Sequence, residues 1–474
     1  MVCPDGGTAE ALYQSITDFL ANNGIPLSNL AATAADTTNV NFGIHHSVSV
    51  LLEKALPHIF NQKCTCHLIH LVASRASKKI PSQVESMLSK VAAHFHYSSV
   101  RSEQLKKLQE VMEVVVHKIL SPSHTRWLAL HSSIERVLEQ YDVLRAYFLQ
   151  FVTSHPKDEN GSVINSILKN DFTQPYLEVM GYSLKLLTDF NALFQTEGSL
   201  LYVLKFEVEE LIKHFLRCFI DKKYHHLCNN NVYKFHYLNP MYFVKLENIY
   251  VGISCTESLQ KLKEDPRNKA SVESFLKVIL SFYAEIVTEI KEKFDFVFKD
   301  PIYPLLRVLD PNPEVYKEVP TLVPIFSRFP FLKDTIDAQA ADNEWLRYCG
   351  LDFNAIRERT DGNIEGYWKV IFKQKGPNGT RMFRNLKKVI KFLLILPFSN
   401  ASVERIFSRL KLIKTDNRTS LGNDTIVALL KIKDGIEAQG CDCITFEPTE
   451  EMLTKKLKGK KKKKSKGNDQ LHSV

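Results

Sequence analysis

The sequence predicts an α/β protein that is mostly helical, with a strand-forming segment near each end and a long helical middle. Residues 30–35 are small and apolar and end at Asp36, as in a buried strand followed by a loop. Beyond residue 127, apolar side chains recur every three or four positions, as on the buried side of a helix. The apolar segment 392–398 predicts a second strand, stopped by Pro397 and followed by a helix.

The composition is that of a globular protein. Of the 474 residues, 44% are hydrophobic and 24% are charged, which excludes a disordered chain. No apolar run approaches the ~18 residues that cross a bilayer, and the N-terminus lacks the pattern of a secretory signal. At roughly 150 residues per domain, the length predicts about three domains or one domain with a large insertion. Nine scattered cysteines indicate reduced thiols in the cytosol or nucleus.

The net charge of +9 comes from a C-terminal tail. Nine lysines and no acid lie between Lys455 and Lys466, and the rest of the chain has 53 basic and 53 acidic residues. Lysines attract phosphate without reading sequence. The tail therefore predicts a nuclear import signal with incidental nucleic-acid attraction, while a dedicated nucleic-acid arm and a solvated disordered end are the alternatives. The densest part is Lys460, Lys461, Lys462, Lys463 and Lys464.

The pattern predicts the elements in chain order. Helices are expected over 9–21, over 47–58, after Cys66, between Leu130 and Phe151, from about 176 to 220 and over 271–298. Residues 158–162 are expected to interrupt the helices and 222–240 to connect them. The segment 301–330 contains seven prolines and is expected to be extended.

The most informative segment follows Pro397. Ser399 or Asn400 can cap a helix, because their side chains accept the free N–H groups of its first turn. Four apolar residues at helical spacing then form a stripe that is expected to be buried, with Glu404 on the neighbouring face. The stripe consists of Val403, Ile406, Phe407 and Leu410. A second apolar helix follows and carries Ile426, Leu429 and Leu430.

These residues resemble the C-terminal dimerisation region of the hAT family of DNA transposases. That region has a Ser, then Glu-Arg-x-Phe-Ser, then a basic turn with Arg and Leu. The matching residues are Ser399, Glu404, Arg405, Phe407, Ser408, Arg418 and Leu421. Three upstream motifs resemble the same family in the same order, at Asp36–Gly43, Cys64–Leu71 and Thr125-Arg126-Trp127. The resemblance extends from about residue 5 to residue 435.

The resemblance implies an RNase H-like core that is interrupted by a large all-helical insertion and is incomplete at its N-terminus. We therefore expect four parts. They are the N-terminal part of the core at 1–120, the mostly helical insertion at 121–380, the C-terminal part of the core with the dimerisation region at 381–438, and a disordered lysine-rich tail at 439–474.

Active relatives cleave and transfer DNA strands with two divalent metal ions held by carboxylates. By resemblance, Asp36 is the second acid and Glu404 the third, and the first acid belongs to a strand that would precede Met1. An incomplete set predicts vestigial carboxylates and no enzyme activity. It also predicts no cofactor, since Mg²⁺ would matter only if activity were retained. Alternatively, Asp36 caps a turn through Thr37 and Asn39, and Glu404 forms a solvated ion pair.

Arg126 and Trp127 are the expected DNA-binding residues, because the matching Trp in relatives stacks on a base. The alternative is a half-buried Trp that packs on the first insertion helix. Cys64, Cys66, His67 and His70 include zinc-binding residue types. Structural zinc sites usually draw ligand pairs from separated segments. We therefore expect a buried junction between a strand and a helix there, and no metal site.

The expected interface of a homodimer is the stripe at Val403, Ile406, Phe407 and Leu410, together with Leu429 and Leu430. Packing within one chain is the alternative. The chain is thus expected to be a transposase-derived nuclear protein that acts through dimerisation and DNA or chromatin association. Neither a membrane nor a small-molecule substrate is expected. The alternatives are a protein-interaction scaffold with no DNA role, and a metal-dependent transposase or nuclease whose first acid comes from a longer isoform.

Overall fold

The computed structural model describes residues 6–121, 129–196, 198–311, 318–351, 364–415, 418, 420–442 and 444–454. These residues divide into two units, one ending at Ala401 and the other beginning at Ser402. The structure is 69% helical and 3% strand, which confirms the prediction of a helix-rich protein. The motif Thr125-Arg126-Trp127 and the lysines from Lys455 onward lie outside the described residues.

The N-terminal part alternates helices with two short strands. In chain order these elements are α1 (Ala9–Asn22), β1 (Ala32–Ala35), α2 (Asn39–Phe42), α3 (Val48–Ala55), β2 (Phe60–Lys63) and α4 (Thr65–Ser77). The strands pair in parallel, with Ala32 opposite Phe60 and Ala35 opposite Lys63. The strand before Asp36 is confirmed, but its side chains are half-buried and not buried. The reason is an open apolar cleft of about 310 Å³ between β1 and the helices α1 and α3.

Most of the described remainder of this unit is helical. Its helices are α5 (Ser82–His96), α6 (Ser99–Val111), α7 (Ala129–Glu139), α8 (Tyr141–Ser154), α9 (Glu159–Leu168), α10 (Thr173–Leu193), α11 (Leu204–Phe219), α12 (His225–Asn230), α13 (Ile253–Lys263), α14 (Lys269–Lys293), α15 (Asp295–Lys299), α16 (Ile302–Leu305), α17 (Val323–Arg328), α18 (Ala338–Cys349), α19 (Ile364–Ile371) and α20 (Arg384–Leu394). Short 3₁₀ turns lie at Leu27–Asn29, Leu201–Val203, Lys222–Tyr224, Pro240–Tyr242, Leu246–Asn248, Pro266–Asn268, Leu306–Leu309 and Pro330–Asp334.

The core of this unit lies around the two longest helices. Helix α14 packs against α4, α11 and α13, and α10 packs against α4, α7 and α13. Buried apolar side chains form one continuous core from Phe60 to Leu396. A separate, smaller core under α1 and α3 contains Ala9, Val48, Leu52 and Ile59. The helical middle is therefore one packed body that reaches from β2 to α20.

Two of the predicted helix boundaries are wrong. The segment between Leu130 and Phe151 is two helices, which meet at the fully buried Gln140. The Gln140 amide accepts from Gln109 and donates to the Val115 carbonyl, at 2.9 and 3.1 Å, so a polar contact fixes the break. The segment 158–162 starts α9 and does not interrupt the helices. The Asp158 carboxylate accepts from the Gly161 N–H at 2.7 Å and so caps the first turn.

Two predictions of extended structure are also wrong. The proline-rich segment 301–330 contains α16 and α17, because prolines such as Pro324 lie in a first helical turn, where no N–H is needed. The expected strand at 392–398 begins as the end of α20, which runs to Leu394. Its buried residues Leu386, Val389, Ile390 and Leu393 have helical spacing, and this spacing decides the structure.

His94 on α5 is expected to make stability depend on pH. Burial, together with Arg101, lowers its pKa from 6.5 to about 4, and its Nε2 lies 3.1 Å from the Tyr147 hydroxyl. The unfolded chain therefore binds a proton between pH 6.5 and 4 that the folded chain does not bind. The free energy of unfolding should fall as the pH drops through this window. Urea titrations at several pH values should show the slope, and His94→Gln should reduce it. An unchanged slope in the variant would refute the assignment to His94.

Candidate functional site

The carboxyl ends of β1 and β2 meet at a junction formed by Asp36, Cys64, Thr65, Ser399 and Asn400, here called the strand-end junction. Asp36 follows β1 directly. Its carboxylate accepts from the Asn41 amide at 2.8 Å, and from the Thr38 hydroxyl and N–H at 3.0 and 3.5 Å. Asp36 thus caps the turn that enters α2. The alternative role as a turn cap agrees with this geometry, although its partners are not Thr37 and Asn39.

The carboxyl group of Asp36 is held in its charged form. Partial burial acts to raise its pKa, but the hydrogen bonds from Asn41 and Thr38 and the nearby His67 outweigh that effect. The pKa of Asp36 therefore lies below its ordinary value. The Asp36 carboxylate is therefore ionised at neutral pH and could attract a cation. Its hydrogen bonds to Asn41 and Thr38 give it a structural role that needs no cation.

Asn400 occupies the open edge of β1. The carbonyls of Ala31 and Ala35 accept from the N–H groups of Phe60 and of Cys64, which directly follows β2, so the backbone groups of the alternate residues point to the opposite edge. There the Asn400 amide, in the orientation that satisfies its neighbours, donates to the Ala34 carbonyl at 3.1 Å and accepts from the Asp36 N–H at 3.2 Å. These are the two bonds that a neighbouring parallel strand would make. One side chain therefore replaces part of a strand.

The residues around Asn400 attach the same segment to the start of α4 and to the residue that follows α10. The Asn400 N–H lies 3.3 Å from the Cys64 sulfur, and the Thr65 hydroxyl donates to the Phe398 carbonyl at 2.8 Å. The Ser399 hydroxyl donates to the carbonyl of Phe194 at 3.0 Å. It also accepts from the Ala401 N–H at 3.4 Å and so can cap the following helix. The motif that begins at Ser399 therefore fixes the last residues of the first unit at the strand-end junction.

The cysteine–histidine cluster lies at the start of α4. Cys64 precedes the first turn, and Cys66 is buried with its sulfur 3.5 Å from the Phe194 carbonyl. His67 and His70 are half-buried on the same helix. This is the expected junction between a strand and a helix. Among the described residues, no three His, Cys, Asp or Glu side chains are placed to hold a metal ion.

The second unit contains α21 (Ala401–Ile413, whose first residue ends the first unit) and α22 (Asn423–Glu437). Arg409 on α21 joins them, since its guanidinium bonds to Asp434 at 2.6 Å and to Glu437 at 2.7 Å. Glu404 lies exposed in the first turn of α21. Asp36 and Glu404 belong to different units, and their role as vestigial catalytic acids stays a prediction.

The apolar stripe of α21 is open to solvent. Val403, Ile406 and Phe407 are 47%, 41% and 49% exposed, so the prediction of a buried stripe is wrong for the single chain. Leu410 is half-buried, as are Leu429 and Leu430 on α22. The ion pairs of Arg409 link α21 to α22 without covering this stripe. An exposed apolar stripe at helical spacing is typical of an interface.

Replacing Asn400 by Leu should destabilise the strand-end junction. It leaves the Ala34 carbonyl and the Asp36 N–H without the amide, and an unsatisfied buried group costs about 1–3 kcal/mol. Amide hydrogen exchange should then become faster in residues 34–38. Asn400→Asp keeps the acceptor for Asp36 and should fall between the two. Equal exchange in all three chains would contradict the role of Asn400 at this edge.

Comparison with known families gives a match in the C-terminal part of the chain. Residues 351–436 match the family model of the hAT family C-terminal dimerisation region. The match contains α19, α20 and α21 and nearly all of α22. A search of curated proteins gives no match to the chain. No helix in the described part of the chain is long and apolar enough to span a membrane. The match confirms the resemblance in this C-terminal part of the chain, which is similar to the dimerisation region of hAT transposases.

Proposed function

We propose that this transposase-derived protein works as a catalytically inactive homodimer in the nucleus, where it associates with DNA or chromatin proteins. The observation that carries the proposal is the exposed stripe of Val403, Ile406 and Phe407, on a helix inside the matched dimerisation region. Full burial of such a side chain is worth about 1.5–3 kcal/mol. Because each is about half exposed, a partner would add roughly 1 kcal/mol per residue. In a symmetric dimer every such contact occurs twice.

The proposed fold of the N-terminal part is an incomplete RNase H-like core. Its support is the order α1, β1, α3, β2, α4 with parallel strands, which is a strand–helix–strand unit. The edge of β1 that faces Asn400 is where a further strand of such a core would pair. The proposal extends to the boundaries of the four expected parts of the chain.

Catalytic inactivity, with no bound cofactor, is the next part of the proposal. It is supported by the use of the Asp36 carboxylate to cap its own turn. The check is a strand-cleavage assay on a DNA duplex with Mg²⁺ or Mn²⁺. We expect no cleavage by the full chain. Cleavage that disappears in Asp36→Asn would instead establish the chain as a nuclease or transposase.

DNA association and nuclear import rest on the lysines between Lys455 and Lys466 and on the expected role of Arg126 and Trp127. Light scattering of the full chain, with and without a DNA duplex, tests the assembly. The free protein should have twice the 54.4 kDa mass of one chain. The mass should rise further when DNA is added. A dimer that ignores DNA would favour the protein-interaction scaffold, and a monomer would refute the proposal.

A further inference from the structure

A strongly basic surface lies between residues 369 and 391, in the unit that ends at Ala401. The segment 364–394 contains eight Lys and Arg residues and a single acid, Glu365. Seven of the eight are exposed, and six of these seven make no described ion pair or side-chain hydrogen bond. These six are Lys369, Lys373, Lys375, Arg381, Arg384 and Lys391. The overall neutrality of the chain outside its tail therefore conceals a local excess of positive charge.

A hairpin places two of these cations side by side. Lys375 and Arg381 face each other across an antiparallel bridge. The flanking bonds, Gly376 N–H to Thr380 O at 2.9 Å and Met382 N–H to Gln374 O at 3.2 Å, make this a non-hydrogen-bonded pair. The side chains of such a pair leave the same face of the hairpin and lie close together. Like charges in this position destabilise a hairpin unless an anion lies between them.

Helix α20 follows the hairpin directly and carries four more positively charged side chains. Arg384, Lys387, Lys388 and Lys391 recur at helical spacing, opposite the buried side of the helix. Lys388 donates to the Thr335 carbonyl at 2.7 Å and Lys387 lies over the Phe372 ring, so these two are anchored. Arg384 and Lys391 are left for an outside partner. Arg381 and Arg384 are three residues apart, so their Cα atoms lie within about 11 Å of each other.

The nearby acid does not neutralise this surface. Glu344 of α18 accepts from the N–H groups of Asn385 and Leu386 at 2.9 and 2.8 Å, so its carboxylate caps the first turn of α20. The cap uses the free N–H groups of the helix, and any anion must therefore bind through the side chains. Between Ile364 and Leu394, no large apolar side chain is exposed, and the next exposed one along the chain is Ile395. A protein partner would usually bury apolar side chains at the centre of its interface.

We propose that Lys375, Arg381, Arg384 and Lys391, with Lys369 and Lys373 beside them, form a binding surface for the phosphate backbone of a nucleic-acid duplex. The inference rests on the proposed association with DNA and assigns it a place in the folded chain outside the lysine tail. Lysine-rich surfaces without exposed aromatic residues contact phosphates and do not read bases. The surface supplies affinity, strongly dependent on salt, and little sequence preference.

The test measures fluorescence anisotropy of a labelled DNA duplex at several salt concentrations. The parent protein is the full chain in which the nine lysines between Lys455 and Lys466 are replaced by Gln. The surface variant adds Lys375→Gln, Arg381→Gln, Arg384→Gln and Lys391→Gln. The control variant instead adds four Gln replacements at lysines that are exposed and have no described ion pair. Those control positions are Lys107, Lys157, Lys169 and Lys234.

The parent should bind the duplex, and the surface variant should bind at least about tenfold more weakly. The slope of log affinity against log salt should fall by about one for each phosphate that the variant no longer neutralises. The control variant should stay close to the parent. Equal binding by the parent and the surface variant, or equal weakening in both variants, would overturn the inference.

Two further outcomes separate the inference from the proposed function. If the unaltered chain binds and the parent does not, the tail alone holds DNA, and the inference fails while DNA association stands. If neither binds, both fail. Poly-glutamate is added as a second probe. If the parent binds poly-glutamate, the surface variant does not bind it, and DNA does not displace it from the parent, then the surface binds an acidic protein. That result would overturn the inference.

Discussion

A chain with Ile406→Glu and Phe407→Glu should be monomeric at concentrations where the unaltered chain is a dimer. Both side chains lie on the exposed stripe of α21. In a dimer each glutamate would lose water without gaining a partner, and an unpaired buried charge is strongly unfavourable. We expect self-association to weaken at least about 100-fold, which corresponds to roughly 3 kcal/mol. Light scattering at matched micromolar concentrations gives the two masses.

The control is Leu412→Glu on the same helix. Leu412 is 75% exposed and lies nine residues after Val403, about two and a half helical turns away and so on the opposite side. It introduces one glutamate at an apolar position that is exposed and lies away from the stripe, and this variant should remain dimeric. A double variant that stays dimeric, or a control that dissociates like the double variant, would place the interface elsewhere.

Of the substitutions proposed for this chain, Trp368→Ala should lower the free energy of unfolding the most. The Trp368 ring is fully buried, with the rings of Tyr348 and Phe372 at 4.9 and 5.6 Å. Its Nε1–H donates to the Leu309 carbonyl at 3.0 Å. Truncation leaves a cavity and an unsatisfied carbonyl, and replacing a buried Trp by Ala typically costs 3–5 kcal/mol, so we expect about that loss. Urea unfolding, followed by circular dichroism, measures the change.

Phe19→Ala is the matched control, because Phe19 is also aromatic but 47% exposed on α1. Its loss should cost less than about 1 kcal/mol. Trp368→Phe keeps most of the ring volume and should lie between the two. If Trp368→Ala were no more harmful than Phe19→Ala, the packing of α19 against the core would be wrong.

The sequence predicts the helices well where an apolar period and a capping residue agree. Helix α1 begins after Thr8 and ends at Asn22, where the turn residues from Asn22 to Pro26 predict its end. Helix α3 begins after Ser47, whose side chain caps it. The expected strand at 392–398 fails because a short apolar run fits a strand and a buried helix end equally well. Only the spacing that starts at Leu386, upstream of the run, separates the two.

The strand-end junction could be predicted only in part. The motif identifies Asp36 and Ser399, but nothing local to Asn400 shows that its amide pairs with a strand more than 360 residues earlier. The helical spacing of the apolar residues on α21 can be read from the sequence. Whether this stripe is buried against a core depends on the tertiary packing, and the spacing of apolar residues does not determine that packing. The net charge of the whole chain does not indicate the basic surface, because acidic residues elsewhere balance its lysines and arginines. The excess of positive charge appears only when the residues of segment 364–394 are counted by themselves.

The most direct test of the central claim is hydrogen–deuterium exchange of the full chain at a low and a high protein concentration. If the dimer forms through the stripe of Val403, Ile406, Phe407 and Leu410, amide protection should rise with concentration in α21 (Ala401–Ile413), and α5 should stay unchanged. The Ile406→Glu, Phe407→Glu chain should lose this dependence. Protection of α21 that stays constant while the measured mass doubles would contradict the account and place the dimer interface on another surface.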